Sequence, residues 1–422
     1  LHYPLRRQRQ MCIRDSMRTL QAMINGQHVA TLTDNSGSWQ LEYSPAWVNN
    51  EEGYDLSPRL PRASETIVDG SSERPVQWFF DNLLPEEQSR QLLAGDAKIE
   101  FADAFGLLGY YGAESAGAIT LLAEPDTVIE SGLRPLTDRD LSRRINNLPR
   151  VALTTDAPKR MSLAGAQYKL PVVLIDQQLY EPIGNTPSTH ILKPNHSQPD
   201  DYDATVANEW FVMRLAQEAG MEVPDVSIRR VPEAVYLIER FDRSHEGDQV
   251  YREHVLDGCQ LLGLDRHFKY QQANTETLNK ILGLVRNRAQ VRLQLFRWLV
   301  FNLLVGNNDA HLKNLSFFAK PDGYRLAPHY DLLCTAIYGD SPTAWLGADL
   351  VWKTDGMRTH EEVSRAAVLR MGREIGITEA LAARHIDEIV NAVEAATAKV
   401  LAECESQLTA GEKRLLLRIC LL

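Results

Sequence analysis

A short polar loop, GNNDAHLKN at positions 306–314, restricts the fold of this chain more than any other segment. It directly follows a strongly apolar stretch, residues 289–305, whose period predicts a helix that ends at Gly306, the first residue of the loop. Residues 315–327 carry two apolar runs around Pro-Asp-Gly, which predicts a β-hairpin. Asp331 follows the hairpin, so that helix, polar loop, hairpin and aspartate form one ordered unit.

Asp309 and Asn314 of the loop, together with Asp331, have the residue types and the order of a phosphotransfer site. In protein-kinase-like sites an aspartate accepts the proton of the nucleophile, an asparagine five residues later binds Mg²⁺, and a later aspartate binds the same metal. Such oxygen ligands suit Mg²⁺, which takes few protein groups and keeps several waters. The alternative is that Asp309 and Asn314 only cap the turns around them. The hairpin and Asp331 favour the phosphotransfer interpretation.

The segment SLAGAQYK at 162–169 precedes a predicted strand and is the candidate for holding phosphate. Its residues Ala164, Gly165 and Ala166 would let backbone N–H groups approach phosphate oxygens, and Lys169 would add positive charge. The chain contains no Gly-Lys pair, so this segment is not a Walker A loop. Taken alone, the segment is equally compatible with a small-residue turn that binds nothing.

Lys193 ends a predicted strand, and Glu209 lies on the helix predicted after it. A strand lysine that contacts nucleotide phosphates and pairs with a helix glutamate is a common arrangement in kinases. Taken singly, both residues are more simply interpreted as solvated charges. Glu239, Arg240 and Phe241 end the β-rich segment, where a hinge would meet adenine, although Phe241 is also compatible with an ordinary core position.

The strand and helix patterns predict an α+β fold with a protein-kinase-like, two-lobed core after a small α+β N-terminal module. The predicted divisions are a module at 17–125, a polar connection at 126–160 that contains one helix at 138–146, a β-rich N-lobe at 161–242, an α-helical C-lobe at 243–405 and a tail at 406–422. Within them the sequence predicts a tight hairpin at Asn25-Gly26, a glycine-rich link at 106–118, a hairpin of strands 171–175 and 179–180, and a strand pair at 226–231 and 235–241.

Residues 1–16 are interpreted as a non-native leader, because the string MCIRDS resembles translated adapter sequence and no apolar signal segment is present. This stretch holds four arginines and one aspartate, so its removal changes the net charge from −11 to −14. An acidic chain argues against broad nonspecific nucleic-acid binding. Scattered cysteines without metal spacing predict a reduced, cytoplasmic environment, and the lack of a run of about 18 apolar residues predicts no membrane span.

Several ordered segments of the chain together resemble the HipA family of serine/threonine kinases, the toxins of type II toxin–antitoxin pairs. They are SLAGAQYKLPVV, THILKP, ANEWFVMRLA, LIERFDR, DGCQLLG, GNNDAHLKNLSFF and LAPHYDLL, and FFDNLLPE resembles part of the family's N-terminal domain. The resemblance runs from about Met17 to about residue 400. It implies a kinase that uses ATP and Mg²⁺ and arrests growth by phosphorylating a cellular protein, often an aminoacyl-tRNA synthetase. It also implies a role in persistence and a HipB-like helix-turn-helix antitoxin, through which DNA would mainly be contacted.

The resemblance also implies roles for individual residues. Asp309 would be the catalytic base, and Asn314 and Asp331 would be the Mg²⁺ ligands. Ser162 would be an autophosphorylation site, where added negative charge would expel the loop from the nucleotide site, although a serine there could simply cap the turn. The residues that would bind ATP are Ala164, Gly165, Ala166, Gln167, Tyr168, Lys169, Lys193, Glu239, Arg240, Phe241, His311, Lys313, Asn314 and Asp331.

Two features depart from the family pattern: Glu114 stands where the family often has aspartate, and residues 348–357 resemble the usual segment only loosely. A second hypothesis is therefore kept open. In it, the chain is a catalytically quiet kinase fold that mainly binds a HipB-like antitoxin as a transcriptional co-repressor. The complete set of chemical residues favours an active protein kinase over this alternative and over a small-molecule or lipid kinase.

Overall fold

The computed structural model describes residues 17–63, 66–124, 131–161, 163–339, 341, 343–403 and 407–422. Residues 1–16 and Ser162, for which the sequence suggests a leader and a modification site, lie outside the described residues. In the described part of the chain, no helix is both long and apolar enough to cross a membrane.

The first unit is an antiparallel five-stranded sheet with helices packed on it, in the strand order β4-β3-β2-β1-β5. Its elements are β1 (Arg18–Ile24), β2 (Gln27–Asn35), β3 (Ser38–Tyr43), α1 (Pro45–Val48), β4 (Ile67–Val68), α2 (Pro75–Asp81), α3 (Glu87–Ala97), α4 (Ala104–Tyr111) and β5 (Ile119–Leu122). The hairpin predicted at Asn25-Gly26 is confirmed, and both residues have the positive φ that a two-residue turn requires. Residues 106–118, predicted as a glycine-rich link, instead begin within α4, because Leu107 and Leu108 are buried in the core.

The second unit is a six-stranded sheet with one long helix against it, in the order β10-β11-β9-β7-β8-β6. Its elements are β6 (Gly132–Pro135), α5 (Asp138–Asn146), β7 (Leu170–Ile175), β8 (Gln178–Ile183), β9 (His190–Pro194), α6 (Thr205–Glu218), β10 (Val226–Arg230) and β11 (Ala234–Glu239). The predicted β7–β8 hairpin and the β10–β11 pair are confirmed. The helix predicted at 138–146 within the connection is confirmed as α5, whose Leu141 lies in the core of this unit, and the same connection also supplies edge strand β6.

The third unit is mainly helical. Its elements are β12 (Arg243–Glu246), β13 (Gln249–Arg252), β14 (Val255–Asp257), α7 (Gly258–Leu262), α8 (Thr275–Leu284), α9 (Arg288–Leu304), β15 (Ser316–Lys320), β16 (Gly323–Leu326), β17 (Asp349–Thr354), β18 (Met357–Thr359), α10 (Arg365–Glu374), α11 (Glu379–Glu403) and α12 (Ala410–Ile419). Helix α9 ends at Gly306 as predicted, and the positive φ of that residue, 62°, favours glycine. The predicted tail contains α12, which packs on α6 and buries Leu416 and Ile419.

The polar loop after α9 lies where these units meet. Helix α9 is anchored below the loop by buried aromatic side chains, including Phe296, Trp298 and Phe301. Each such side chain contributes about 1.5–3 kcal/mol of apolar burial, so the start of the loop is held rigidly. Strand β9, helix α6 and the β15–β16 hairpin bring further polar residues to the same place, and α2 and α3 of the first unit close one side.

Candidate active site

Lys193 joins three elements at the centre of the site. It lies on β9, and its Nζ is 2.7 Å from Glu209 Oε1 of α6 and 2.5 Å from Asp331 Oδ1 after the β15–β16 hairpin. Lys193 and Glu209 are buried, so each charge depends on its partners in place of water. Burial favours the neutral amine, but the two carboxylates outweigh it and raise the pKa of Lys193 above its ordinary value. The structure thus brings together three residues that the sequence assigned to one site.

The pKa values of Glu209 and Asp331 are shifted in opposite directions although both carboxylates contact the same ammonium group. Burial raises the pKa of Glu209 to about 7, against the opposing effect of Lys193. For Asp331 burial acts in the same direction, but the ammonium groups of Lys193 and Lys169 hold the pKa of its carboxyl well below the usual range. Asp331 is therefore the more firmly anionic of the two and the better ligand for a cation.

Asp331 is presented to the site by an unusual backbone. Its φ is 58°, in the left-handed region that residues other than glycine seldom adopt. Asn314 Nδ2 donates to Asp331 Oδ2 over 3.1 Å, and the neighbouring Tyr330 hydroxyl donates to the Lys313 carbonyl over 2.7 Å. These bonds tie the segment after the hairpin to the loop that precedes it.

Asn314 and Asp331 both carry side-chain oxygens of the type that Mg²⁺ binds. In this structure Asn314 turns its Nδ2 to Asp331, while its Oδ1 accepts from the His311 N–H. Among the described residues there is no group of three or more His, Cys, Asp or Glu side chains that could hold a metal ion.

Asp309 lies in the turn directly after α9. Its backbone N–H donates to Asn307 Oδ1 over 3.0 Å, and its carbonyl accepts from the His311 N–H over 2.8 Å. The Tyr270 hydroxyl donates to its carboxylate at Oδ1. Burial raises the pKa of Asp309, while the Tyr270 hydrogen bond opposes that rise. Asp309 is thus a half-buried carboxylate with a raised pKa, a side chain of the kind that can take up a proton.

His311 is a buried neighbour of Asp309. Its backbone N–H donates to Asn314 Oδ1 over 3.2 Å, and its ring meets the Tyr270 ring edge-on at 4.9 Å between centroids. Burial lowers the pKa of His311 to about 3, so its ring is neutral at physiological pH. It can contribute a hydrogen bond to a ligand but no positive charge.

The small-residue segment forms a tight loop over Lys169. Lys169 Nζ donates to the Ala164 carbonyl over 2.8 Å, and a Cβ on Gly165, whose φ is 108°, would lie 2.6 Å from that nitrogen. Burial and the nearby Lys193 lower the pKa of Lys169 to about 8. Gln167 and Tyr168 are half-buried at its other end.

The first unit holds this loop in place. Glu86 donates its backbone N–H to the Gly165 carbonyl over 3.2 Å, and Ser89 Oγ donates to the Ala166 carbonyl over 2.5 Å. Both contacting residues lie at the start of α3. The conformation of the candidate phosphate loop therefore depends on a separate unit of the chain.

The sequence places Lys313 in the lining of a phosphate site, and in the structure its ammonium contacts side chains of the protein. Its buried ammonium donates to Asn82 Oδ1 over 2.8 Å and to Asp257 Oδ2 over 2.7 Å, and it lies 3.7 Å from Glu86 Oε1. These contacts raise the pKa of Lys313 despite its burial. Through these contacts Lys313 connects the polar loop to the first unit and to the start of α7.

The residues predicted to border adenine are placed differently from one another. Arg240 is buried and its guanidinium contacts Asp242 at 2.7 Å and Glu114 at 3.3 Å, inside a separate charged cluster. Phe241 is half-buried, and its ring lies 5.5 Å from that of Tyr330, next to Asp331. Glu239 is exposed at the end of β11. Phe241 is thus the member of this group that the structure brings nearest to the central residues.

Two features of the site were missed from the sequence. Tyr270 lies 39 positions before its partner Asp309 and carries no motif that would link them. The FFDNLLPE segment was recognised only as part of the N-terminal module, whereas its Asn82 and Glu86 reach Lys313 and the phosphate loop. The available signal was that this otherwise apolar segment contains the polar residues Asp81, Asn82 and Glu86.

Two family models match the chain, the HipA N-terminal domain over residues 20–122 and the HipA-like C-terminal domain over residues 161–397. The protein Y4mE of Sinorhizobium fredii is 35% identical over 401 residues, which cover 92% of each chain. The serine/threonine-protein kinase toxin HipA of Shewanella oneidensis is 31% identical over 322 residues, which cover 72% of this chain and 71% of that protein.

A solved structure of the Shewanella oneidensis MR-1 toxin–antitoxin system, containing HipA, HipB and operator DNA, resembles the fold throughout. The TM-score is 0.81 at 26% identity, and the match covers 95% of both chains. The predicted fold class is thereby confirmed: an α+β chain in which a small N-terminal module precedes a two-lobed, kinase-like core.

Proposed function

We propose, since this chain belongs to the HipA family, that it is an ATP- and Mg²⁺-dependent serine/threonine protein kinase that acts as a toxin. The observation that carries the proposal is the joining of Lys193, Glu209, Asp331 and Asn314 by direct contacts beside Asp309. A fold that served only as a binding scaffold would gain nothing from keeping these charges buried, because burial of ionised groups is costly. This arrangement favours the active kinase over the catalytically quiet alternative.

In the proposed reaction, each group acts at a stated place. Lys193, Lys169 and the backbone N–H groups of 164–166 would bind the phosphates of ATP, and Asn314 with Asp331 would hold Mg²⁺, which would offset the negative charge of the transferring phosphoryl group. Asp309 accepts the proton of the serine or threonine hydroxyl while the hydroxyl oxygen forms its bond to the γ-phosphorus. The bond from that phosphorus to the β,γ-bridging oxygen breaks in the same step, and ADP leaves.

Adenine is proposed to lie beside Phe241, with Glu239 at the rim of the cleft. Phe241 offers an aromatic face, since its ring is only partly covered by Tyr330 and Phe318. His311 contributes a neutral donor or acceptor near the phosphates. Arg240, whose guanidinium is held by Asp242 and Glu114, supports this edge from behind the cleft.

Autophosphorylation at Ser162 is proposed as a means of self-inactivation. This serine directly precedes the loop whose carbonyl groups accept from Lys169, Ser89 and the Glu86 backbone. A phosphate there adds about −1.5 to −2 charges at a place that must receive the triphosphate. The loop would then be repelled from the nucleotide, and the enzyme would be silenced.

The proposed partner is a HipB-like helix-turn-helix antitoxin in the cytoplasm. The support comes from the related HipA that has been solved with HipB and operator DNA. Because this chain has a net charge of −11, we expect DNA to be contacted mainly through the antitoxin. The proposed substrate is a cellular protein, an aminoacyl-tRNA synthetase by family analogy, whose phosphorylation would arrest growth and favour persistence.

The test of this function is a phosphoproteomic comparison of cells that express the wild type or Asp309→Asn at equal levels. A serine or threonine phosphorylated only with the wild type would identify the substrate, together with growth arrest confined to that strain. Identical phosphoproteomes, accompanied by purification of both proteins with a small DNA-binding partner, would instead establish the quiet scaffold.

Replacing Lys193 by methionine is expected to weaken ATP binding in the presence of Mg²⁺ by roughly 10- to 150-fold, since hydrogen bonds to charged groups contribute about 1.5–3 kcal/mol. Methionine keeps much of the side-chain volume but leaves Glu209 and Asp331 without the ammonium that both contact. Calorimetric titration with a non-hydrolysable ATP analogue and Mg²⁺ measures the change. Lys280→Met, an exposed lysine paired with Glu276, is the control. Equal affinity in the two variants would remove Lys193 from the nucleotide site.

A further inference from the structure

Tyr270 reaches the candidate base from outside the predicted motifs. It lies in the turn before α8, its side chain is 46% exposed at the mouth of the site, and its hydroxyl donates to Asp309 Oδ1. A carboxylate has two oxygens and several lone pairs, so this bond leaves Oδ2 available for the proton of an acceptor hydroxyl. The contact therefore restricts the rotation of the carboxylate without using its full capacity.

The backbone around Tyr270 is tied to the polar loop and to the first unit. The Leu312 N–H donates to the Lys269 carbonyl over 3.2 Å, and Lys269 Nζ lies 2.5 Å from Glu86 Oε2. The Ala273 N–H closes the turn by donating to the Tyr270 carbonyl over 3.0 Å. These contacts hold the residues before and after Tyr270 in one conformation. The turn therefore places the Tyr270 hydroxyl next to Asp309.

The ring of Tyr270 is also held in place. It packs edge-on against the buried His311 ring, with 4.9 Å between centroids, and Lys269 Nζ lies 5.2 Å from its centroid. His311 is two residues after Asp309 on the same loop. The Tyr270 side chain therefore contacts the loop at two points, its ring at His311 and its hydroxyl at Asp309.

We propose that Tyr270 is a positioning residue that orients the Asp309 carboxylate for proton transfer from the protein substrate. This inference rests on the proposed kinase function and adds to it a residue from another segment of the chain. It also makes the turn at 269–273 one wall of the acceptor site, because the exposed ring borders the space in which the substrate hydroxyl must meet Asp309.

The test compares Tyr270→Phe with Tyr251→Phe in the full-length protein. Both variants lose one hydroxyl that donates to a side-chain oxygen, and Tyr251 contacts Gln249 on the remote strand β13. The probe is transfer of ³²P from ATP to the acceptor protein found in the phosphoproteomic comparison, with kcat and both KM values measured. Affinity for ATP and Mg²⁺ and the urea midpoint are measured on the same samples.

We expect Tyr270→Phe to lower kcat by about tenfold or more, the size of effect of losing one hydrogen bond to a charged group. Its KM for ATP, its nucleotide affinity and its urea midpoint should match those of Tyr251→Phe. A purely structural role would instead shift the midpoint or the nucleotide affinity, and would overturn the proposal.

Two other outcomes would also decide the matter. An unchanged or raised kcat with a lower KM for the acceptor would show that Tyr270 only occupies the place of the substrate hydroxyl, which contradicts a positioning role. If the wild type and Asp309→Asn were equally inactive, the kinase function itself would fail. That result is distinct from an active wild type whose kcat does not respond to the loss of the Tyr270 hydroxyl.

Discussion

Asp309→Asn is expected to lower kcat for phosphate transfer in purified protein by about 10²–10⁴-fold, the usual contribution of a general base. Asparagine has nearly the same shape and still accepts the Tyr270 hydroxyl at Oδ1, so the loop should keep its conformation. What it cannot do is take up a proton from the acceptor. The affinity for ATP and Mg²⁺ should therefore stay at the wild-type value, since the nucleotide is proposed to be bound by other residues.

Asp322→Asn is the matched control for this experiment. Asp322 is the exposed tip of the β15–β16 hairpin and pairs with Arg325, so the same chemical change there should leave kcat unchanged. Rates are measured as ³²P incorporated into the acceptor at saturating ATP. Transfer by Asp309→Asn at more than half the wild-type rate would show that another group takes the proton.

Glu114→Gln is expected to lower the free energy of unfolding by about 3–5 kcal/mol, the usual cost of breaking a buried ion pair. Glu114 is fully buried and accepts bonds from several cations and one hydroxyl: Lys159 at 2.6 Å, Arg243 at 2.8 Å, Arg252 at 2.9 Å, Arg240 at 3.3 Å and Ser188 at 2.8 Å. Although burial opposes ionisation, these cations hold the pKa of Glu114 well below its usual range. Glutamine would remove the negative charge and turn an N–H₂ group toward other donors.

The cluster around Glu114 joins the first unit to the β-rich lobe, so its loss should loosen that contact. Urea unfolding followed by circular dichroism measures the stability, and Glu73→Gln is the control. Glu73 pairs with Arg59 on the surface, where such pairs contribute between nothing and about 1 kcal/mol. Equal midpoints for the two variants would show that water or a rearranged cation compensates for the lost carboxylate.

Much of the site was predictable because its residues come in local patterns. Asp309 and Asn314 share one loop, and the helix before them and the hairpin after them each have their own periodicity or turn chemistry. The partnership of Lys193 with Glu209 followed from a known arrangement of strand and helix, and the structure confirms that contact. The order of these segments along the chain matches that of the HipA family, and this match predicted the kinase-like fold.

What the sequence does not reveal are contacts between side chains that lie far apart in the chain. The placement of Lys313 at a phosphate site stays a prediction, and the structure adds that its ammonium contacts Asn82, more than two hundred positions earlier, and Asp257. Strand β6 was read as linker because a four-residue strand with a proline has no pattern of its own. It becomes a strand only through its pairing with β8.

The sequence by itself determined the two-lobed fold class and the residues that carry the proposed chemistry, because local periodicity, turn residues and motif order are properties of short segments. Only the tertiary structure decided which buried charges meet. It showed that Lys193 binds both Glu209 and Asp331, that Tyr270 holds Asp309, and that α3 supports the phosphate loop. The physical reason is that a buried polar group must find a partner wherever packing provides one, at any separation along the chain.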